Sequence, residues 1–161
     1  MIQPALEKIV VNSGIGRLTQ LPEFEGKVLP AVVQELALIT GQKAEYRPAR
    51  ASISGFKLRE GTVVGLRVTL RGKRMNDFLN RVVHITLPRV RDFRGISKKN
   101  IDTAGNLTIG IREHASFPEI KPELSKFAFG LQLTLVPKVP FKGKEDAIRF
   151  YQSLGVPFER N

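Results

Sequence analysis

The chain has 161 residues, 42% of them hydrophobic and 25% charged, with 26 lysines and arginines against 15 acids and a formal net charge of +11. That length suits one domain with a sizeable core, and the balance is that of a globular protein whose basic excess calls for an anionic partner. The absence of cysteine excludes disulfides and thiolate metal sites, no apolar run is long enough to span a bilayer, and the start MIQPALEKIVVN lacks the basic and apolar regions of a signal peptide, so a cytoplasmic protein is expected.

In chain order, EKIVVN (7–12) reads as a short strand rich in β-branched residues, and SGIG (13–16) as a turn. VVNSGIG resembles the start of a dinucleotide fingerprint, but the third glycine position is Thr19, and a tight turn explains Gly14 and Gly16. Over residues 27–40 the apolar positions Val28, Leu29, Val32, Val33, Leu36 and Ile39 have helical spacing. Pro30 must then sit in the first turn, and Gly41 is placed to cap the C-terminus. KAEYRP (43–48) suggests another strand. RPARASISGFKLREG (47–61) reads as a mobile basic loop with Arg47, Arg50, Lys57 and Arg59. Phe56, if exposed, would pack on a ribose or base; packing under its own loop is the alternative.

GTVVGLRVTLR (61–71) is the clearest strand. Leu66, Val68 and Leu70 face one way, while Arg67, Thr69 and Arg71 face the other, a face that an antiparallel sheet can leave open. An ordinary solvated face explains this strand equally well. From Met75 to about Thr86, the positions Met75, Phe78, Leu79, Val82, Val83 and Ile85 form one apolar helix face, with Arg81 and His84 opposite and Pro88 as the stop. Cations flank this helix: Arg71, Lys73 and Arg74 at its entry turn, and Arg89, Arg91, Arg94, Lys98 and Lys99 after its exit. GNLTIGIRE (105–113) and LQLTLVP (131–137) alternate as strands. KEDAIRFYQSLG (144–155) reads as a last helix with Ala147, Ile148, Tyr151 and Leu154 inward and its acids early, as the helix dipole prefers. The sum is a single α+β domain over residues 1–161, a mainly antiparallel sheet of about five strands with about three helices packed on one face.

Charge is concentrated. Residues 41–100 hold 15 Lys/Arg and 4 Asp/Glu, while the remaining 101 residues hold 11 of each. Solubility alone rarely needs one-signed charge confined to one region. Enzymatic signals are weak. No phosphate loop or nucleophile elbow is present. His84 lies on a polar helix face, and His114 reads as a surface-loop residue whose neighbours Glu113 and Glu119 match no metal spacing. No cofactor or metal is expected, and no basic amphipathic helix suggests a membrane surface. An arginine-rich patch fits nucleic acid, because guanidinium pairs with phosphate in a bidentate way. The competing reading is a small enzyme on an anionic substrate, with Glu113 and His114 as acid–base pair; it requires them to converge in a concave pocket.

EKIVVNSGIG, LALITGQK, GFKLREG, VTLRGKRMNDFLNR, LPRVRDFRGIS and FPEI, in this order and spanning nearly the whole chain, closely resemble the bacterial form of the family of large-ribosomal-subunit protein number five. These are the universal 5S-rRNA-binding proteins of the central protuberance. The resemblance implies a non-catalytic ribosomal protein, cytoplasmic with the ribosome, whose sheet and adjoining loops grip 5S rRNA. By motif position the family's three central polar residues fall on Asn12, Gln42 and Thr69, with Arg50, Arg67, Arg71, Arg91 and Arg94 as further rRNA-binding candidates. Its loop toward peptidyl-site tRNA falls on Gly55, Phe56 and Lys57. Further implied partners are large-subunit rRNA, neighbouring central-protuberance proteins and, from about 105–135, a small-subunit head protein across an intersubunit bridge. Here this chain departs from the family: His114 stands where glutamine is usual, and KFAFGLQLTL lacks the usual Arg-Gly step. Family members also usually carry a mostly helical segment before the first strand, where here the strand starts almost at once.

Overall fold

The computed structural model describes residues 5–51 and 59–160. Five strands, β1 (Leu6–Gly14), β2 (Glu45–Pro48), β3 (Val63–Leu70), β4 (Leu107–Ile111) and β5 (Leu131–Pro137), form one sheet in the order β2-β3-β1-β5-β4. Every neighbouring pair is antiparallel. Alternation sends Ile9, Val11, Leu66, Val68, Leu70, Ile109, Leu133 and Leu135 to one face, where all are buried. Each such Leu or Ile contributes about 1.5–3 kcal/mol by leaving water.

Three helices cover that face. Helix α1 (Leu29–Thr40) carries Pro30 in its first turn and ends on Gly41 at φ 79°, as its sequence requires. Helix α2 (Gly72–Arg81) runs on through a π turn (Val82–Thr86) and a last turn (Leu87–Arg89). Helix α3 (Lys144–Ser153) has Glu145 and Asp146 in its first turn. Val32, Leu36 and Ile39 of α1, Met75, Phe78 and Leu79 of α2, and Ala147, Phe150 and Tyr151 of α3 join the strands in one contiguous core. The α+β architecture expected from alternation and helical spacing is the one observed.

Details of the helices differ from expectation. Pro88 does not stop α2. A proline clashes with the carbonyl four residues back, and here the π turn lies over that position, with the Leu87 amide bonded five residues back to Val82. The wider turn also sets back the phase of the residues after it. Leu87 therefore rotates inward to 1% exposure, while Ile85, expected inside, is 42% exposed. Helix α2 begins earlier than expected, so Lys73 and Arg74 lie in its first turn rather than in a preceding turn. SGIG does not turn the chain as a unit: β1 continues through Gly14 and a 3-10 turn begins at Gly16. In α3, Phe150 is buried and Ile148 only partly so.

The Tyr151 hydroxyl fastens α3 to the sheet, donating toward Gly105 O at 2.5 Å with Leu135 O at 3.3 Å. Burial, with the Asp102 carboxylate adding to it, pushes this phenol well above its ordinary value. Tyr151→Phe keeps the ring and takes the donor from the Gly105 carbonyl. It is expected to cost about 1–2 kcal/mol, read as a lower urea midpoint at unchanged m.

Candidate nucleic-acid interface

The second face of the sheet carries most of the candidate polar residues. Strand register sets its rows. In one row Glu45 (β2) lies opposite Arg67 (β3), Arg67 opposite Asn12 (β1), Asn12 opposite Gln132 (β5), and Gln132 opposite Gly110 (β4). In the next row Thr69, Val10, Thr134 and Thr108 follow one another. Two of the three polar residues singled out by motif position, Asn12 and Thr69, thus stand on adjacent strands of one face. Both are half-buried, and neither side chain's polar group has a hydrogen-bond partner among the described residues. Beside Asn12, a shallow depression of about 390 Å³ is lined by Gly14, Gly110, Arg112, Gly130 and Gln132. Its glycines leave backbone open to the surface.

Gln42 joins them from the turn after α1. Its side-chain amide donates to Thr69 O at 3.0 Å, and Arg74 donates to its Oε1 at 3.3 Å. Strand β2 starts only at Glu45, so Gln42 satisfies an edge carbonyl of β3 that has no strand beside it. The Thr40 hydroxyl accepts the Gln42 amide at 3.3 Å and fixes the turn.

The cations divide by position. Arg67 lies on the open face, where its Nη2 donates to both oxygens of Glu45 at 3.1 Å; Arg47 reaches the same carboxylate at 3.3 Å. The Arg67 guanidinium, with Arg47 beside it, holds the Glu45 carboxyl below its usual range. Arg71 caps α2 in an extended conformation with Glu7 at 3.9 Å. Arg50 is exposed just after β2. Arg91 and Arg94 are exposed on the connector after α2, next to Ile96, which bridges Phe158 in the C-terminal segment. They are thus attached to a different part of the fold from Asn12, Gln42 and Thr69. Arg81 is held in place as a structural cation, paired with Glu119 and lying 5.8 Å from the Phe78 ring centre. Lys73 and Arg74 sit at a helix N-terminus with no acid in the first turn, where the dipole disfavours positive charge. Gly55, Phe56 and Lys57 lie outside the described residues.

The competing acid–base pair does not assemble. Glu113 is exposed, whereas His114, expected in a surface loop, is buried and stacks on Phe129 at 4.0 Å. His114 Nδ1 accepts the Phe129 amide at 3.4 Å, so the ring proton sits on Nε2, between Glu35 Oε2 (3.1 Å) and Ser125 Oγ (2.9 Å). Ser125 donates its own proton to Glu35 Oε1 at 3.1 Å. A nucleophilic serine needs a free ring nitrogen to take its proton, and both nitrogens are committed. The cluster pins the segment after β4 to α1. The sequence could not reveal this, because Glu35 lies 79 residues from His114. Among the described residues no group of three or more His, Asp or Glu is arranged to hold a metal.

Sequence reasoning does not single out Gln132, Thr134 or Glu45 as members or neighbours of the site, and it places Arg74 in the basic patch without its contact to Gln42. Alternation of Leu131, Leu133 and Leu135 already implies that Gln132 and Thr134 face outward. Their place beside Asn12 comes only from the pairing of β1 with β5.

One face of the sheet is covered by helices and the other is polar and basic, the arrangement of a protein that binds through a surface. Residues 1–59 match the family "Ribosomal protein L5", and residues 63–158 match the C-terminus of the ribosomal L5 family. The chain is 44% identical over 160 residues to "Large ribosomal subunit protein uL5" of Halothermothrix orenii, covering 99% of this chain and 86% of that one. It is 46% identical to the proteins of the same name from Rubrobacter xylanophilus (98% and 84% covered) and Limosilactobacillus fermentum (99% and 86%). The chain therefore belongs to the bacterial-type ribosomal protein L5 family, structural and non-enzymatic constituents of the ribosome.

Proposed function

We propose that this chain, acting as one domain, binds 5S rRNA in the central protuberance of the large ribosomal subunit through the open face of its sheet. The observation that carries the reading is the juxtaposition of Asn12 and Thr69 on that face, with Gln42 held against Thr69 at 3.0 Å. The work is divided. Arg50, Arg67, Arg71, Arg91 and Arg94 hold phosphates with little sequence preference. Asn12, Gln42 and Thr69 add directional hydrogen bonds that favour one RNA loop, since unpaired bases present their edges to such groups. Gly55, Phe56 and Lys57 reach peptidyl-site tRNA. Residues from about 105–135 face a small-subunit head protein, and large-subunit rRNA and central-protuberance proteins are the remaining neighbours. The match to the ribosomal L5 family and the net charge of +11 support the reading.

The test is a titration of the purified chain against cognate 5S rRNA and an unrelated RNA of equal length across a salt series. Both are expected to show a steep salt slope, with 5S rRNA bound at least about tenfold tighter, a gap of about 1.4 kcal/mol. Equal binding would leave a nonspecific basic protein and sink the assignment of the three polar residues.

A further inference from the structure

Residues 41–100 contain only four acids, Glu45, Glu60, Asp77 and Asp92, among 15 cations. Glu45 occupies the row of the open face that holds Arg67 and Asn12. Its carboxylate takes Arg67 Nη2 at 3.1 Å on both oxygens and Arg47 Nη1 at 3.3 Å. All three side chains are substantially exposed, at 56% for Glu45, 36% for Arg67 and 41% for Arg47. Exposed pairs of this kind add little stability. They do change the charge that an approaching phosphate meets.

We propose that Glu45 is a specificity-determining residue, an internal counter-anion that screens Arg47 and Arg67 from phosphates of the wrong RNA. The inference rests on the RNA-binding reading above. A phosphate arriving at this row finds both guanidiniums engaged and a carboxylate beside them. It must displace Glu45 and accept like-charge repulsion in return for the same cations. An RNA that also satisfies Asn12 and Thr69, in the same and the adjacent row, gains directional bonds that offset this cost. One that offers phosphates alone does not. The screen is displaceable by construction: among the described residues only Nη2 of Arg67 is used, so the pair lacks the two parallel bonds of a fork, and Arg67 Nε is buried without a described partner. Once Glu45 swings from the edge strand toward solvent, Arg67 can turn Nε and Nη2 together onto an anion. The cost falls on every RNA and the compensation on one, which is how a repulsive element creates discrimination.

The test compares Glu45→Gln with Glu145→Gln, which makes the same change in net charge on α3 in the opposite layer. Wild type and both variants are titrated with 5S rRNA and with the unrelated RNA of equal length across a salt series. Glu45→Gln is expected to bind the unrelated RNA about threefold tighter and to steepen its salt slope by about one. Its preference for 5S rRNA should shrink, with Glu145→Gln close to wild type. Unrelated-RNA binding that matches Glu145→Gln, or that weakens, overturns the proposal. A wild type without preference for 5S rRNA overturns the 5S reading alone, because the slope on unrelated RNA still decides the role of Glu45.

Discussion

A chain carrying both Asn12→Ala and Thr69→Val is expected to lose about 2–4 kcal/mol of 5S rRNA affinity, roughly 30- to 1,000-fold, while its binding to an unrelated RNA stays within about twofold. Each side chain offers on the open face a hydrogen-bonding group unpartnered among the described residues, and each lost contact to a partner group then left unsatisfied costs about 1–2 kcal/mol. Neither replacement threatens the sheet. Valine keeps the shape of threonine and suits a strand, and alanine at position 12 removes only atoms on the solvent side. The sites lie on paired strands, with Val10 rather than Asn12 opposite Thr69. They are close enough to couple, so the double variant should be read against both singles. The unrelated RNA serves as the internal control because its binding depends on the cations, which are unchanged. A loss shared equally by both RNAs would mean that these groups shape the sheet rather than read the RNA. No loss at all would remove them from the interface.

Much of this site is legible in the sequence. Alternation is a local signal, and it places Arg67 and Thr69 on the face away from Leu66, Val68 and Leu70, in agreement with the buried and half-buried residues of β3. Helical spacing in the same way finds the inner faces of α1 and the first turns of α2. Sheet order is not legible, because β1 pairs with a strand more than 100 residues away, and no local pattern specifies that pairing. In sequence Asn12 therefore has a strand end but no neighbours; its register with Arg67 and Gln132 supplies them. Glu45 reads as one acid in a basic stretch, and only the β2–β3 register puts it opposite Arg67. The π turn is invisible for another reason: Pro88 is a strong stop signal, and the device that accommodates it leaves no compositional trace. The assignment of Gln42 and the tRNA role of Phe56 rest on family resemblance alone; the basic loop around Phe56 suggests by itself only packing on a ribose or base.

Gly95→Ala is expected to destabilise the fold by about 3 kcal/mol, far more than a half-buried glycine in a connector suggests. Two costs combine. Gly95 has φ 116°, a conformation that residues with a side chain rarely adopt. A methyl group there would also meet Glu159 N at 2.6 Å and the Phe158 carbonyl carbon and oxygen at 2.7 and 2.8 Å. Those are backbone atoms that cannot turn aside, because the two segments are tied on either side of the contact: the Ile96 amide donates to Pro157 O at 2.7 Å, and the Glu159 amide to Ile96 O at 2.9 Å. Relieving the clash means breaking this clamp, which seats the buried Ile96 and packs Phe158 against the core. Gly41 is the comparison, with a positive φ of 79° but nothing within 4 Å of an added methyl. Gly41→Ala should cost about 1 kcal/mol, the conformational part alone. Urea unfolding of the two variants separates strain from steric exclusion. Equal midpoints would show that conformation by itself demands glycine at position 95. A midpoint well below that of Gly41→Ala would show that close approach does. In that case the arginine-rich connector, with Arg91 and Arg94 exposed beside the clamp, owes its placement to the missing side chain of one glycine.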